Sequence, residues 1–281
     1  MKTGEATAFC VRAGLDFHLI DAEWEKNYMN TKELDRSLSF LRETESDLEL
    51  ILTINARHMV ALETVRDYCE VIGQYGNGGF CFVAGNPTYL SEEERRLDAG
   101  AMLAELVTAC RHRLPLASVF VGSEGYAELT SSLSEKYSTI PFALLDSRVP
   151  DKATRVGASE EDGRAAIYCP CYLSADSEMQ MIRALGPYAM RRKWVREALR
   201  ERGLRAADIK SQLSDGGLIE DSTANVLGDA IRHLALCGMH QAEHSLRRFS
   251  MRGVSYVALL LAEDSHEEQK ELDRLVSRLS S

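Results

Sequence analysis

Two short stretches of this sequence carry side chains suited to proton and anion chemistry. Arg57-His58 opens a helical stretch just after an apolar run, where His58 could act as a general acid/base or donate a hydrogen bond to a ring system. Gly122-Ser123-Glu124-Gly125 is a small-residue turn between an apolar run and a helical one. Such a turn exposes backbone N–H groups beside a helix N-terminus and suits a phosphate, although Glu124 brings an opposing charge. Each also has a plain structural reading, the first as a hydrogen-bonded loop and the second as a strand-to-helix connection. Cys169-Pro170-Cys171 lacks the two-residue gap of a zinc or redox pair. His233, His240 and His244 cluster near a helix start; His240 and His244, one turn apart, could share a face but lack an evident third ligand, so a solvated or capping role and no metal site are expected. Nucleophile-elbow and P-loop patterns do not occur.

These residues need a scaffold, and the chain alternates in a way that provides one. Apolar, β-forming runs fall at Asp16–Asp21, Leu48–Ile54, Gly79–Ala84, Ala117–Val121, Pro141–Leu145, Ala165–Cys169 and Ser255–Leu261. Helical spacing falls at Thr31–Glu43, His58–Ile72, Ser91–Arg111, Tyr126–Lys136, Ser177–Arg202, Leu218–Leu236 and His240–Arg252. The strands are continuously apolar, as in parallel sheets covered on both faces. No glycine-rich dinucleotide fingerprint follows the first run. An α/β barrel, one domain over residues 1–281, is therefore expected.

In a barrel the reacting groups lie at the C-terminal ends of the strands. There the sequence places Asp21 and Glu23, then Asn55, Arg57 and His58, then Gly85, then Gly122, Ser123 and Gly125. The polar stretch Asp146–Arg164 reads as a surface loop. A basic run from Arg183 to Arg205 reads either as a solvated helix face or as a site for an acidic partner or a polyanionic tail.

The 281 residues carry 33 basic and 43 acidic side chains, a formal charge of -10. That balance argues against nucleic acid as a default partner. No apolar run approaches the ~18 residues that cross a bilayer, and Met1–Phe9 has no apolar signal core. Seven scattered cysteines within apolar segments are expected to be free thiols of a cytoplasmic protein.

Four blocks resemble one known family. LELILTINARHMVALETVRDYCEVIGQYGNGGFCFVAGNP is similar to the bacterial luciferase-like flavin and deazaflavin oxidoreductases, with Arg57-His58 and Gly78-Gly79 at motif positions. AGLDFHLIDAEW, LPLASVFVGSEGYAELTSSLSEKYSTIPFALLDS and LALCGMHQAEHSLRRFSMRGVSYVALLL resemble its flanking units in the same order. The stretch near Asp215–His244 most resembles the branch of coenzyme F420-dependent methylenetetrahydromethanopterin reductases.

The resemblance implies a (β/α)8 TIM-barrel-like, luciferase-like homodimer that uses coenzyme F420 or FMN to transfer hydride to a small-molecule substrate, in that branch a one-carbon pterin carrier. It assigns cofactor contacts to Asn55, Arg57, Gly85, Gly122, Ser123 and Gly125, and proton handling to His58 with Asp21 or Glu23 as a replacement acid. Several positions depart from the family. Met1–Phe9 is too polar for its first strand, Met59 replaces the usual proline, and Phe80 replaces an arginine. The departures cluster at the mouth, so the alternative is a non-catalytic homologue serving as a structural, binding or regulatory subunit.

Overall fold

A computed structural model of the chain describes residues 3–20, 28–84, 90–122, 126–145, 165–174, 177–214, 219–251, 254–262 and 265–280. The chain divides into two compact units, Met1–Ala143 with Val156–Ala166 and Leu144–Arg155 with Ile167–Ser281.

The first unit runs α1 (Thr3–Arg12), β1 (Phe17–Ile20), α2 (Thr31–Glu43), β2 (Glu49–Asn55), α3 (Ala61–Tyr75), β3 (Gly78–Val83), α4 (Glu92–Arg96), α5 (Ala99–Arg113), β4 (Val119–Gly122), α6 (Ala127–Tyr137) and β5 (Ile140–Leu144). Its strands pair in parallel and in chain order. This is the strand–helix alternation expected of an α/β barrel. Thr3–Phe9, within the stretch too polar for a strand, is helical as part of α1. Helix Ser91–Arg111, expected as one, is two. Leu97 is extended, and the Asp98 side chain accepts from the amides of Gly100 and Ala101 to start α5 afresh.

Both faces of the sheet are filled. A Cβ on Gly78 would meet Ile72 of α3 at 2.7 Å. Gly78, Phe80 and Phe82 therefore look toward the helices, because side chains alternate along a strand. The Phe80 and Phe82 rings stack at 5.4 Å between centroids. On the opposite face Phe17, Phe120 and Phe142 form an aromatic row, with centroids 5.8 and 6.3 Å apart. The register puts Ile51, Thr53 and Asn55 on that same face.

The second unit holds β6 (Ala165–Tyr172), α7 (Glu178–Ala189), α8 (Lys193–Glu201), α9 (Ala206–Ser214), α10 (Asp221–Leu234), β7 (Leu236–Cys237), α11 (Met239–Ser250), β8 (Val254–Leu261) and α12 (His266–Leu279). β6 pairs in parallel with β7 and also pairs with β8. The span Ser177–Arg202, expected as one helix, breaks at Arg192, whose backbone is extended. The Glu268 carboxylate of α12 is fully buried and accepts from the amides of Leu173 and Ser174, at 2.9 and 2.6 Å, tying the end of β6 to that helix. The seven cysteines are free. Asp146–Arg164, expected as a loop, lies almost wholly outside the described residues.

Two predictions follow from the packing of the first unit. A Cβ at Gly79 would lie 2.3 Å from the Ser118 carbonyl oxygen, which accepts from Phe80 N–H and cannot withdraw. Gly79→Ala should cost about 1–3 kcal/mol in urea unfolding, and an unchanged midpoint would refute this contact. Burial pulls the His18 imidazole down to about 4, with Thr7 Oγ1 at 3.2 Å from its Nδ1. The unfolded chain takes up this proton near its ordinary pKa of about 6.5, and the folded chain does so near 4. Stability should therefore fall as pH drops through that interval. His18→Gln should flatten the fall in denaturant midpoints between pH 7 and pH 4.5.

Candidate functional site

The turn after β2 is buried, so its backbone groups must find partners inside the protein. Asn55 and His58 are each 1% exposed and Ala56 is fully buried. The Asn55 side-chain oxygen accepts from Arg57 N–H at 3.0 Å, its carbonyl accepts from His58 N–H at 3.1 Å, and Ala56 N–H reaches the Val83 carbonyl at 2.8 Å. This is an Asx-type turn, in which a short amide replaces the missing strand partner.

Tyr28 completes it from a distant segment. Its hydroxyl accepts from Asn55 N–H at 3.3 Å and lies 2.5 Å from His58 Nδ1. The two rings meet edge-on at 5.6 Å. One proton lies in the Tyr28–His58 bond, donated by Tyr28 when the imidazole carries its own proton on Nε2. The neighbouring Met29 carbonyl accepts from the buried Tyr68 hydroxyl, which fixes the segment carrying Tyr28.

Arg57 leaves the turn toward α6. Its Nη2 donates to the Tyr126 hydroxyl at 3.3 Å. The side chain is half-buried, and its Nε is buried with no hydrogen-bond partner among the described residues. Thr53 Oγ1, on the same strand and facing away from the helices, is likewise buried without a partner. Tyr126 is the N-cap of α6 and makes no side-chain cap bond. The guanidinium thus meets the hydroxyl of the residue that begins α6, and its buried, unmatched Nε leaves a donor that suits an anion. Gly122 ends β4 close to β3, where a Cβ would stand 3.4 Å from Val83 Cα.

The fold therefore brings Asn55, Arg57 and His58 into one cluster and links Arg57 through Tyr126 to the helix after Gly122. Asp21, Glu23, Gly85, Ser123 and Gly125 lie outside the described residues. Tyr28 and Tyr126 were not expected from the sequence. Neither belongs to a motif, and each acts through a partner far along the chain. Among the described residues no group of three or more His, Cys, Asp or Glu side chains could hold a metal ion. None of their helices is long and apolar enough to cross a membrane.

A family model described as "Family of unknown function (DUF7388)" matches residues 10–264, and the chain belongs to that family. Uncharacterized protein MJ1239 of Methanocaldococcus jannaschii is 27% identical over 129 residues, 46% of this chain and 50% of that protein. The chain thus spans about half the length of this curated relative.

Among solved structures, an F420-dependent secondary alcohol dehydrogenase in complex with an F420-acetone adduct superposes with a TM-score of 0.63 at 11% identity, covering 99% of this chain and 96% of that one. EDTA monooxygenase (EmoA) from Chelativorans sp. BNC1 gives 0.62 at 11%, covering 99% and 85%. The oxygenating constituent of 3,6-diketocamphane monooxygenase from Pseudomonas putida, in complex with FMN, gives 0.56 at 12%, covering 98% and 90%. These likenesses show the fold alone, an α/β TIM-barrel-like one.

Tyr28→Phe tests the cluster. It would leave the buried Asn55 amide without its acceptor and should cost about 1–3 kcal/mol in denaturant unfolding. A loss indistinguishable from zero would mean that Tyr28 merely lies beside the turn.

Proposed function

We propose that this member of the DUF7388 family is a luciferase-like oxidoreductase that binds coenzyme F420 or FMN at the strand ends of its first unit and transfers hydride to a small-molecule substrate. The observation that carries the reading is the half-buried Arg57 guanidinium, whose Nε is buried with no partner among the described residues and whose Nη2 meets the hydroxyl of Tyr126 at the start of α6. Both cofactors carry phosphate, and this is a cradle for such a group. The fold likeness to a dehydrogenase solved with an F420 adduct and a monooxygenase solved with FMN supports the same choice.

When bound, the cofactor supplies the hydride chemistry, and the chain's own residues bind and orient. Arg57 and the backbone from Gly122 to Gly125, with Ser123 between, hold the anionic end. Asn55 and Gly85 border the cofactor from the neighbouring strand ends, and Thr53 Oγ1 offers a further hydrogen-bonding atom. Tyr28 fixes the His58 ring, so that a proton held there stays at a defined position. Asp21 or Glu23 serves as the acid. Similarity of the stretch near Asp215–His244 to the reductase branch supports a one-carbon pterin carrier as hydride acceptor. The same reading makes the protein a cytoplasmic homodimer.

A second reading has its own support. His58 is 1% exposed, and aromatic rings fill the face on which Asn55 stands. A barrel closed in this way would serve as a non-catalytic subunit.

Titration of the protein with FMN and with coenzyme F420, followed by absorbance and fluorescence, separates the two. Binding of one cofactor at about tens of micromolar or tighter is expected. Arg57→Gln should weaken it about tenfold, the scale of one charge-assisted hydrogen bond. If neither cofactor binds the wild-type protein, the oxidoreductase reading fails and the subunit reading stands.

A further inference from the structure

Helices α7 to α10 lie between β6 and β7 and build a core of their own from Ile182, Leu185, Val195, Leu199, Ile209 and Leu227. Helices α7 and α9 approach closely at Gly186, where a Cβ would lie 3.1 Å from Leu213. On the outside of this bundle the charge reverses. Residues 191–210 hold eight basic and three acidic side chains, whereas the whole chain holds 33 and 43.

Helix electrostatics do not account for this run. Cations stabilise a helix near its C-terminus and destabilise it near its N-terminus. Arg200, in the last turn of α8, fits that rule. Arg192 and Lys193 do not, because they are the N-cap and first residue of α8, whose first turn holds no acid. Nor does Arg205, which immediately precedes α9 and whose carbonyl accepts the first bond of that helix from Ile209 N–H. Arg192, Arg196 and Arg200 also recur at four-residue spacing, where like charges repel.

Some of these cations have local work. Arg196 donates to the Met190 and Arg191 carbonyls that close α7, and Arg192 stacks on Tyr188. Arg200, Arg202 and Arg205 are exposed and make no ion pair with any described residue.

We propose that the basic ridge formed by Arg200, Arg202 and Arg205, exposed at the end of α8 and ahead of α9, docks an acidic segment of a partner protein. Arginine forks match carboxylates two bonds at a time, which suits Asp and Glu side chains. The apolar side of α8, Val195 and Leu199, is already buried in the bundle, so the helix has no face left to enter a lipid surface. No exposed aromatic side chain lies in residues 191–210 to stack on bases. A chain of net charge -10 repels an extended polyanion, whereas a short acidic segment meets the ridge alone.

The test is fluorescence anisotropy with the full chain and a labelled peptide of alternating Asp and Glu, at an ionic strength of about 0.15 M. Saturable binding is expected, weakened about tenfold or more by R200E/R202E/R205E and by less in R200Q/R202Q/R205Q. Both variants should keep the wild-type circular dichroism spectrum, since the three residues are exposed. Absence of saturable binding overturns the proposal, as does equal binding by the charge-reversed variant. Tighter binding to a single-stranded oligonucleotide of equal charge, or to phosphatidylserine vesicles, than to the peptide overturns it as well.

Discussion

The arrangement of the first unit depends on one requirement: a buried strand must end inside the protein without stranding its backbone polar groups. β2 is buried from Leu50 to Asn55, and the chain turns before it reaches water. Asn55 resolves this by using its side-chain oxygen for Arg57 N–H and its carbonyl for His58 N–H. Its own amide is then satisfied by Tyr28. Once those bonds are made, the directions of Arg57 and His58 are set. The cation leaves toward Tyr126 and α6, while the imidazole turns inward onto Tyr28. The placements of the imidazole and of the guanidinium are both consequences of how a parallel strand is terminated.

The same requirement explains which parts were legible in the sequence. Parallel strands covered on both faces read as apolar runs, so β2, β3, β4 and β6 stood out. β7 did not, because two residues, Leu236 and Cys237, are too few to form a run. Helix breaks were missed where a cap sits inside a continuous apolar period. Asp98 starts α5 without interrupting the pattern, and Arg192 is extended without a Gly, Pro or capping side chain at that position to mark the break in the sequence. Asn55, Arg57 and His58 were legible because they follow a strand directly. Tyr28 and Tyr126 were not, since their roles depend on partners 27 to 69 residues away along the chain.

Burial also separates the two positive features of the molecule. Arg57 is half-buried, with one neutral partner and an unmatched Nε. A cation so placed keeps most of its electrostatic strength, because solvent and salt are partly excluded, and an uncompensated donor there is costly until an anion arrives. The ridge at the end of α8 differs: Arg200, Arg202 and Arg205 are exposed, where solvent and salt screen a charge.

Physical chemistry therefore assigns the two features different tasks. A screened array at the surface gains from many weak, simultaneous contacts and suits a multivalent acidic surface, because each pair is worth only about 0–1 kcal/mol. A single sequestered guanidinium gains from one well-aligned group and suits a compact anion held in fixed geometry. Beyond a Debye length of about 8 Å, exposed charges no longer sense one another. Raising salt should thus erode binding at the ridge while leaving an anion on Arg57 comparatively unaffected. That difference would assign any anionic ligand of the whole chain to one feature or the other before a single residue is changed.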